Sequence, residues 1–348
     1  MRRMLAALPL LLALDAAAQA APPAAPPSAA SAPSAPSAPS APSALLQFQH
    51  DLVSILALRD DATHLTAAAI LARSTPNLPP VLSFGSLLAR AEAATGAGAA
   101  VSWVALADCD HATAAACPAP AALSRLQTQA PQNAAVWMLA LDVAARADDP
   151  AAERAALAHA AAATEYSTYY GQLLRATLIG ASALPMPVAV VHALAGTDGN
   201  ANAAGFAIAA GNVMFLPSPS LAPAFALCRK ADRDAALRED CLKLAHLLAW
   251  GDTVIARNAG LALHERLAAT ATDKAHYANQ RRNVAWQTQQ YAQLMLRARN
   301  TPAIAAKAVT LGADGGTENS IMLGLLRAFA IPLQPPLDWT PQPLQAHD

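Results

Sequence analysis

From residue 44 to about residue 331, apolar residues recur at spacings of three and four, with proline or glycine between the runs. That period predicts amphipathic helices in series. Ser43 is placed to cap a first helix over 44–59, whose apolar stripe includes Leu45, Phe48, Leu52, Ile55 and Leu56. A second runs from Asp61 to Arg73 and stops before Pro76, and a third starts near Pro80 and ends before Gly96. Val101 to Ala107 fits a short strand or a buried helical turn, since seven apolar-rich residues carry no decisive period. Asn133–Asp148 and Pro150–Ala163 read as a helix pair, with Asp149-Pro150 as stop and restart. A helix from Tyr166 to Ser182 ends before Pro185, and further helices fit 201–215, 220–231, 234–250, 252–271, 273–299, 302–311 and 317–330. The tail 332–348 is proline-rich and expected to be irregular.

The first 43 residues follow other rules. Arg2 and Arg3 precede an apolar run from Met4 to Leu14, and Ala18-Gln19-Ala20 offers the small-any-small pattern that a signal peptidase accepts. Residues 1–20 are therefore expected to be a signal peptide cleaved after Ala20, which sends the protein to the periplasm or outside the cell. The run is too short to span a bilayer, so no membrane span is expected after cleavage. Residues 21–43 repeat Ser-Ala-Pro units. Proline lacks a backbone donor and fixes φ, so this stretch is expected to be an extended, disordered linker.

Composition narrows the classes of function. Charged residues are 14% of the 348, well below an average soluble domain, and the apolar surplus is mostly alanine. Small side chains let helices approach closely. With 23 basic and 24 acidic residues the formal charge is −1, so no electrostatic case for nucleic acid arises.

Pro131, Asn133, Ala134 and Trp137, followed by an acidic turn and an alanine-leucine helix with Leu157 and Ala160, form a recognisable local pattern. The segment resembles a tetratricopeptide-type helical repeat, in which a proline lies six positions before the aromatic residue opening the first helix. The match departs at Leu141, Glu153 and Glu165, and no second copy follows at a 34-residue period. The chain as a whole resembles exported alanine-rich helical proteins of high-GC proteobacteria. The resemblance implies antiparallel helix pairs stacked in a tetratricopeptide-like array, an all-α solenoid over residues 44–331.

Cys109, Cys117, Cys228 and Cys241 are an even set, which in an exported chain reads as disulfides. Proximity favours Cys109–Cys117 and Cys228–Cys241. For the second pair, Asp234 lies near the midpoint, so a turn there places both cysteines opposite each other on two antiparallel helices. Metal ligation by Cys109, Asp110, His111 and Cys117 is the alternative for the first pair, but the spacing is not that of a structural zinc site.

Catalytic motifs fail at defined positions. His264-Glu265 opens a zinc-protease motif whose second histidine position holds Ala268. Gly96-Ala97-Gly98 is followed by Val101 where a dinucleotide fingerprint needs glycine. The calcium-loop start at Asp198 meets Ala203 and Ala209 at required ligand positions, leaving Asp198 or Asn200 as a helix cap. No metal or cofactor is expected. Two clusters remain as a candidate binding surface: Tyr166, Tyr169 and Tyr170, near Glu165 and His159, and the polar 273–299 helix with Tyr277, Arg281, Arg282, Trp286 and Gln289.

The expected function is a non-enzymatic, exported helical-repeat protein that binds an unidentified protein or peptide in the cell envelope, because stacked helices present extended surfaces. One alternative is an enzyme or small-ligand binder whose site assembles from His246, Glu265, His276 and the tyrosines. Another is a structural envelope component.

Overall fold

A computed structural model describes residues 41–107 and 120–341. The expected signal peptide, most of the expected 21–43 linker, Cys109, Cys117 and residues 342–348 lie outside the described residues. Among the described residues there are sixteen α-helices and no strand. They are α1 (Ala41–Leu56), α2 (Ala62–Ala72), α3 (Phe84–Ala93), α4 (Ala99–Ala105), α5 (Pro120–Gln129), α6 (Ala134–Arg146), α7 (Pro150–Ala162) and α8 (Tyr170–Ala181). The second half holds α9 (Val188–Ala195), α10 (Ala201–Met214), α11 (Ala222–Cys228), α12 (Ala235–Ala249), α13 (Val254–Leu267), α14 (Ala271–Ala298), α15 (Pro302–Ala313) and α16 (Glu318–Ala328).

The fold is an all-α array of packed helix pairs. Consecutive helices α1–α2, α2–α3, α6–α7, α12–α13 and α13–α14 pack on each other, as short connections between apolar stripes require. Long-range packing ties these pairs together: α7 lies on α12, and α8 touches α2, α10 and α15. Two apolar cores result. The larger runs from Phe48 and Leu52 through Trp103 and Leu141 to Leu248 and Leu263. The smaller gathers Leu174, Phe206, Leu294, Ile304, Met322 and Leu325.

Local chemistry sets most helix starts. Asp149 accepts from the N–H groups of Ala151 and Ala152 at 3.1 and 3.0 Å, with Pro150 in the first turn. Asn200 accepts from Ala203 N–H at 3.0 Å and is the cap of α10. These satisfy donors that a helix leaves unpaired.

Several expectations need correction. Ser43 lies within α1, not at its cap; among the described residues the helix runs from Ala41 and already includes Pro42. The third expected helix is broken at Ser83, which ends a 3-10 turn over Pro80–Leu82 and caps α3 by accepting from Ser86 N–H at 3.3 Å. Of the two alternatives for Val101 to Ala107, the helical one holds, for Val101 to Ala105 lie in α4. Helices α5 and α9 were not expected. The helix expected from Tyr166 starts only at Tyr170, because Thr164 to Tyr169 form a connector, in which Tyr166, Thr168 and Tyr169 are buried.

Cys228 and Cys241 are joined, with Cα atoms 5.8 Å apart. The turn between them is a single 3-10 turn at Ala231–Arg233, and Asp234 caps α12 by accepting from Leu237 N–H at 2.9 Å. The bridge closes a loop of 13 residues' separation between α11 and α12. On the chain-entropy argument it stabilises by about 3 kcal/mol. Urea unfolding of a Cys228→Ser/Cys241→Ser variant is expected to give that loss; a loss below about 1 kcal/mol would show that the native packing alone holds α11 on α12.

Candidate functional site

The connector between α7 and α8 is the foundation of the site. Asn133, fully buried, donates from Nδ2 to Ser167 O at 2.8 Å and accepts from Ser167 N–H and Ala135 N–H, both at 3.0 Å. On its other side lies Asp252, in the short turn between α12 and α13. One carboxylate oxygen accepts from Thr168 N–H at 2.8 Å, Ser167 Oγ at 3.1 Å and Tyr170 N–H at 3.4 Å. Asp252 thus caps α8 from more than eighty residues away in sequence. Burial pushes its carboxyl above the ordinary value, against the lowering effect of those hydrogen bonds. Glu318 accepts from Val254 N–H at 2.8 Å, and its carboxyl is also raised by burial, with the Asp252 charge adding.

These ties enclose a cleft of about 850 Å³. Its walls are the connector (Thr164 to Ser167), the end of α12 with the following turn (His246 to Asp252), α13, the start of α14 and the start of α16. Such a volume is within the range that holds small molecules or a few peptide residues. His246, His264 and His276 come from three consecutive helices into this one cleft. The His264 ring stacks on Tyr277 with centroids 4.6 Å apart and planes 8° apart. His276 meets the edge of Tyr277 at 5.3 Å. Burial, and then the neighbouring His246, holds the His264 pKa below its ordinary value, so the stacked imidazole is neutral at pH 7. Trp250 stands at the mouth, 81% exposed, and Leu261 and Leu323 add apolar wall.

The candidate residues are distributed as follows. Tyr166 is buried and lines the cleft, with its phenol raised by burial and then by Asp252. Tyr169 is buried in the core, its ring 5.6 Å from that of Trp103, at the left-handed backbone value φ 59°. Tyr170 turns to a smaller pocket of about 130 Å³ shared with Trp103 and Glu318. The polar helix α14 is likewise divided. Tyr277 faces the cleft, whereas Arg281 pairs with Glu265 at 2.8 Å. Arg282 donates to the carbonyls of Pro336 and Trp339, both at 2.6 Å, and lies over the Trp339 ring. Trp286 Nε1 donates to Pro332 O at 2.8 Å and its ring meets Trp339 edge-on. The chain's own tail therefore covers the Arg282–Trp286 face. Gln289 lies half-buried farther along α14, and His159, away from the cleft, stacks on Trp137 at 4.2 Å. Glu265 is tied to Arg281 and is not among the cleft residues.

Asp252, Arg257, Asn319 and Trp250 are site residues that sequence reasoning missed. The run Trp250-Gly251-Asp252 in a turn between two helices was the available signal, since an aromatic beside glycine and a capping carboxylate marks a place of close contact. Among the described residues no group of His, Cys, Asp or Glu side chains is arranged to hold a metal ion. No family model, curated protein or solved structure matches the chain. The fold and the cleft thus define a class no finer than an all-α helical-array protein with a sizeable, aromatic-walled cleft.

Proposed function

We propose that the protein is an exported, non-enzymatic binding protein whose cleft takes a short stretch of peptide or protein. The observation that carries this reading is the cleft itself. Stacked rings and leucines supply apolar contact, and hydrogen-bonding groups from five separate segments converge on the same space. The hairpin disulfide fits an oxidising compartment, as the signal-peptide pattern requires. No helix among the described residues is long and apolar enough to cross a membrane. The tetratricopeptide-type reading of α6–α7 gains support from Trp137, whose Nε1 donates to Pro131 O at 2.7 Å across the six-residue interval.

The convergence of His246, His276 and Tyr166 in one cleft favours a second reading, an enzyme with an assembled site. Binding fits better because the two serine hydroxyls of the cleft, the candidate nucleophiles, are engaged. Ser167 Oγ donates to Asp252 and accepts from Tyr169 N–H, and Ser320 Oγ donates to Thr317 O. Among the described residues no cleft histidine hydrogen-bonds a hydroxyl or carboxylate, which is the pairing that activates a nucleophile.

The test is fluorescence polarisation of a random nonapeptide pool, labelled at the N-terminus, against the full mature chain. Saturable binding is expected, at least about tenfold weaker for His264→Ala/Tyr277→Ala and unchanged for Arg282→Glu. Equal affinity in the cleft variant would overturn the reading. Peptide conversion on mass analysis would transfer the cleft to the enzyme reading.

A further inference from the structure

The cleft also carries a chemical preference, an inference that rests on the peptide-binding reading above. Arg257, on α13, is half-buried in the cleft wall. Its guanidinium Nη1 reaches Gln287 Oε1 at 3.2 Å, a neutral acceptor. No carboxylate among the described residues pairs with it, whereas Arg125, Arg154, Arg238 and Arg281 each have one. Of the two carboxylates that line the cleft, Asp252 is engaged by the connector and Glu165 makes no ion pair with Arg257. A partly desolvated cation with no counter-ion is a costly arrangement for stability alone, and guanidinium is the group best shaped to grip a carboxylate in two-pronged fashion.

Two neutral groups in the same cleft point the same way. Asn319 is nine-tenths buried; its Nδ2 donates to Gly251 O at 2.8 Å and Thr253 O at 3.0 Å, which fixes the amide orientation. Its Oδ1 is then a buried acceptor without a donor. Tyr166 is 6% exposed and lines the same cleft, where its phenol is a potential donor. A buried polar atom such as Asn319 Oδ1 is seldom left without a partner in native proteins, and an absent ligand is one of the few physical reasons for it. The cleft therefore offers a cation and a phenolic donor to an acceptor pair, an amide oxygen to an N–H, and an apolar wall of Leu261, Tyr277 and Leu323 to a side chain.

We propose that the cleft recognises the free C-terminal end of a peptide, with the terminal carboxylate on Arg257, the last peptide N–H toward Asn319 and an apolar last side chain against Tyr277. A chain terminus is the peptide element that presents carboxylate, N–H and side chain within a single residue.

The experiment is titration calorimetry of the full mature chain with N-acetyl-Ala-Ala-Phe and with the same peptide as its C-terminal amide. The acid is expected to bind at least about tenfold more tightly than the amide, the preference falling at high salt. Arg257→Gln is expected to abolish the preference, bringing the two affinities together near the amide value, while Arg257→Lys retains part of it. Equal binding of acid and amide to the wild-type chain overturns the carboxylate anchor and leaves the peptide cleft standing. Binding of neither, with the nonapeptide pool also silent, overturns both. A preference that persists in Arg257→Gln places the carboxylate elsewhere and overturns the assignment to Arg257. If Arg257→Gln does not fold by circular dichroism, the wild-type acid-to-amide ratio and the Arg257→Lys ratio decide alone.

Discussion

Gly260→Ala is expected to destabilise the fold by at least about 3 kcal/mol, the upper range for overpacking a buried contact. Gly260 lies on α13 where that helix crosses α12. A Cβ there would sit 2.2 Å from Ala249 N and 2.5 Å from Ala245 O. Both are backbone atoms inside a helix, so no side-chain rotation relieves the overlap; the two helices must separate. That separation sets the cleft, because α12 carries His246 and leads into Trp250, while α13 carries Arg257 and His264. On the peptide-binding proposal, the variant should therefore also lose affinity beyond its loss of stability. Gly211→Ala is the matched control, on α10 with open space around the new Cβ. There alanine's higher helix propensity is expected to add about 0.5–1 kcal/mol. Thermal unfolding compares the two: the first should fall by roughly 6 °C or more and the second rise slightly. If both variants melted with the wild type, the close crossing would not be the arrangement in solution.

The helical class and many of the helix boundaries were legible because they depend on neighbours in sequence. Asp149-Pro150 ends one helix and opens the next through a cap and a fixed φ, and Asn200 does the same for α10. The Cys228–Cys241 bridge followed from symmetry about the turn at Asp234. The errors arose where a distant residue decides a local matter. Tyr166 to Tyr169 have helical-looking spacing, yet Asn133 and Asp252 hold their backbone in a connector. Helix α9, Val188–Ala195, has so uniform an apolar composition that it shows no period to detect. The polar face of α14 looked open in sequence, but hydrogen bonding by Arg282 and Trp286 to the returning tail is a tertiary fact. The three cleft histidines lie at unrelated spacings on three helices, so their meeting depends on how α12, α13 and α14 pack, which periodicity does not encode.

Asp252 gives the second large effect, and it separates charge from hydrogen bonding. Asp252→Ala removes the acceptor shared by Ser167, Thr168 and Tyr170 and leaves two backbone N–H groups at the start of α8 without it. A loss of about 3 kcal/mol is expected, within the range for stripping partners from buried polar groups. Asp252→Asn should be far milder, since its amide oxygen can take the place of the oxygen facing Thr168 N–H and its amide nitrogen can donate to Thr168 Oγ1. The pH dependence then tells the two apart. Burial raises the Asp252 carboxyl above its ordinary value, with Glu318 raised in the same way nearby. The native state thus binds more protons than the unfolded chain between the ordinary carboxyl value and the raised one. Stability from this group is greatest below that interval and falls as pH rises through it. In Asp252→Asn the dependence is absent, so the stability of the wild type relative to the asparagine variant should decline from about pH 3.5 upward and then level off. Urea unfolding of both proteins across that range reads the difference directly. A wild-type advantage that instead grows with pH would mean that the hydrogen bonds from Thr168, Ser167 and Tyr170 outweigh burial and hold the carboxylate ionised. The connector at the cleft floor would then be held by hydrogen bonds that favour the charged carboxylate.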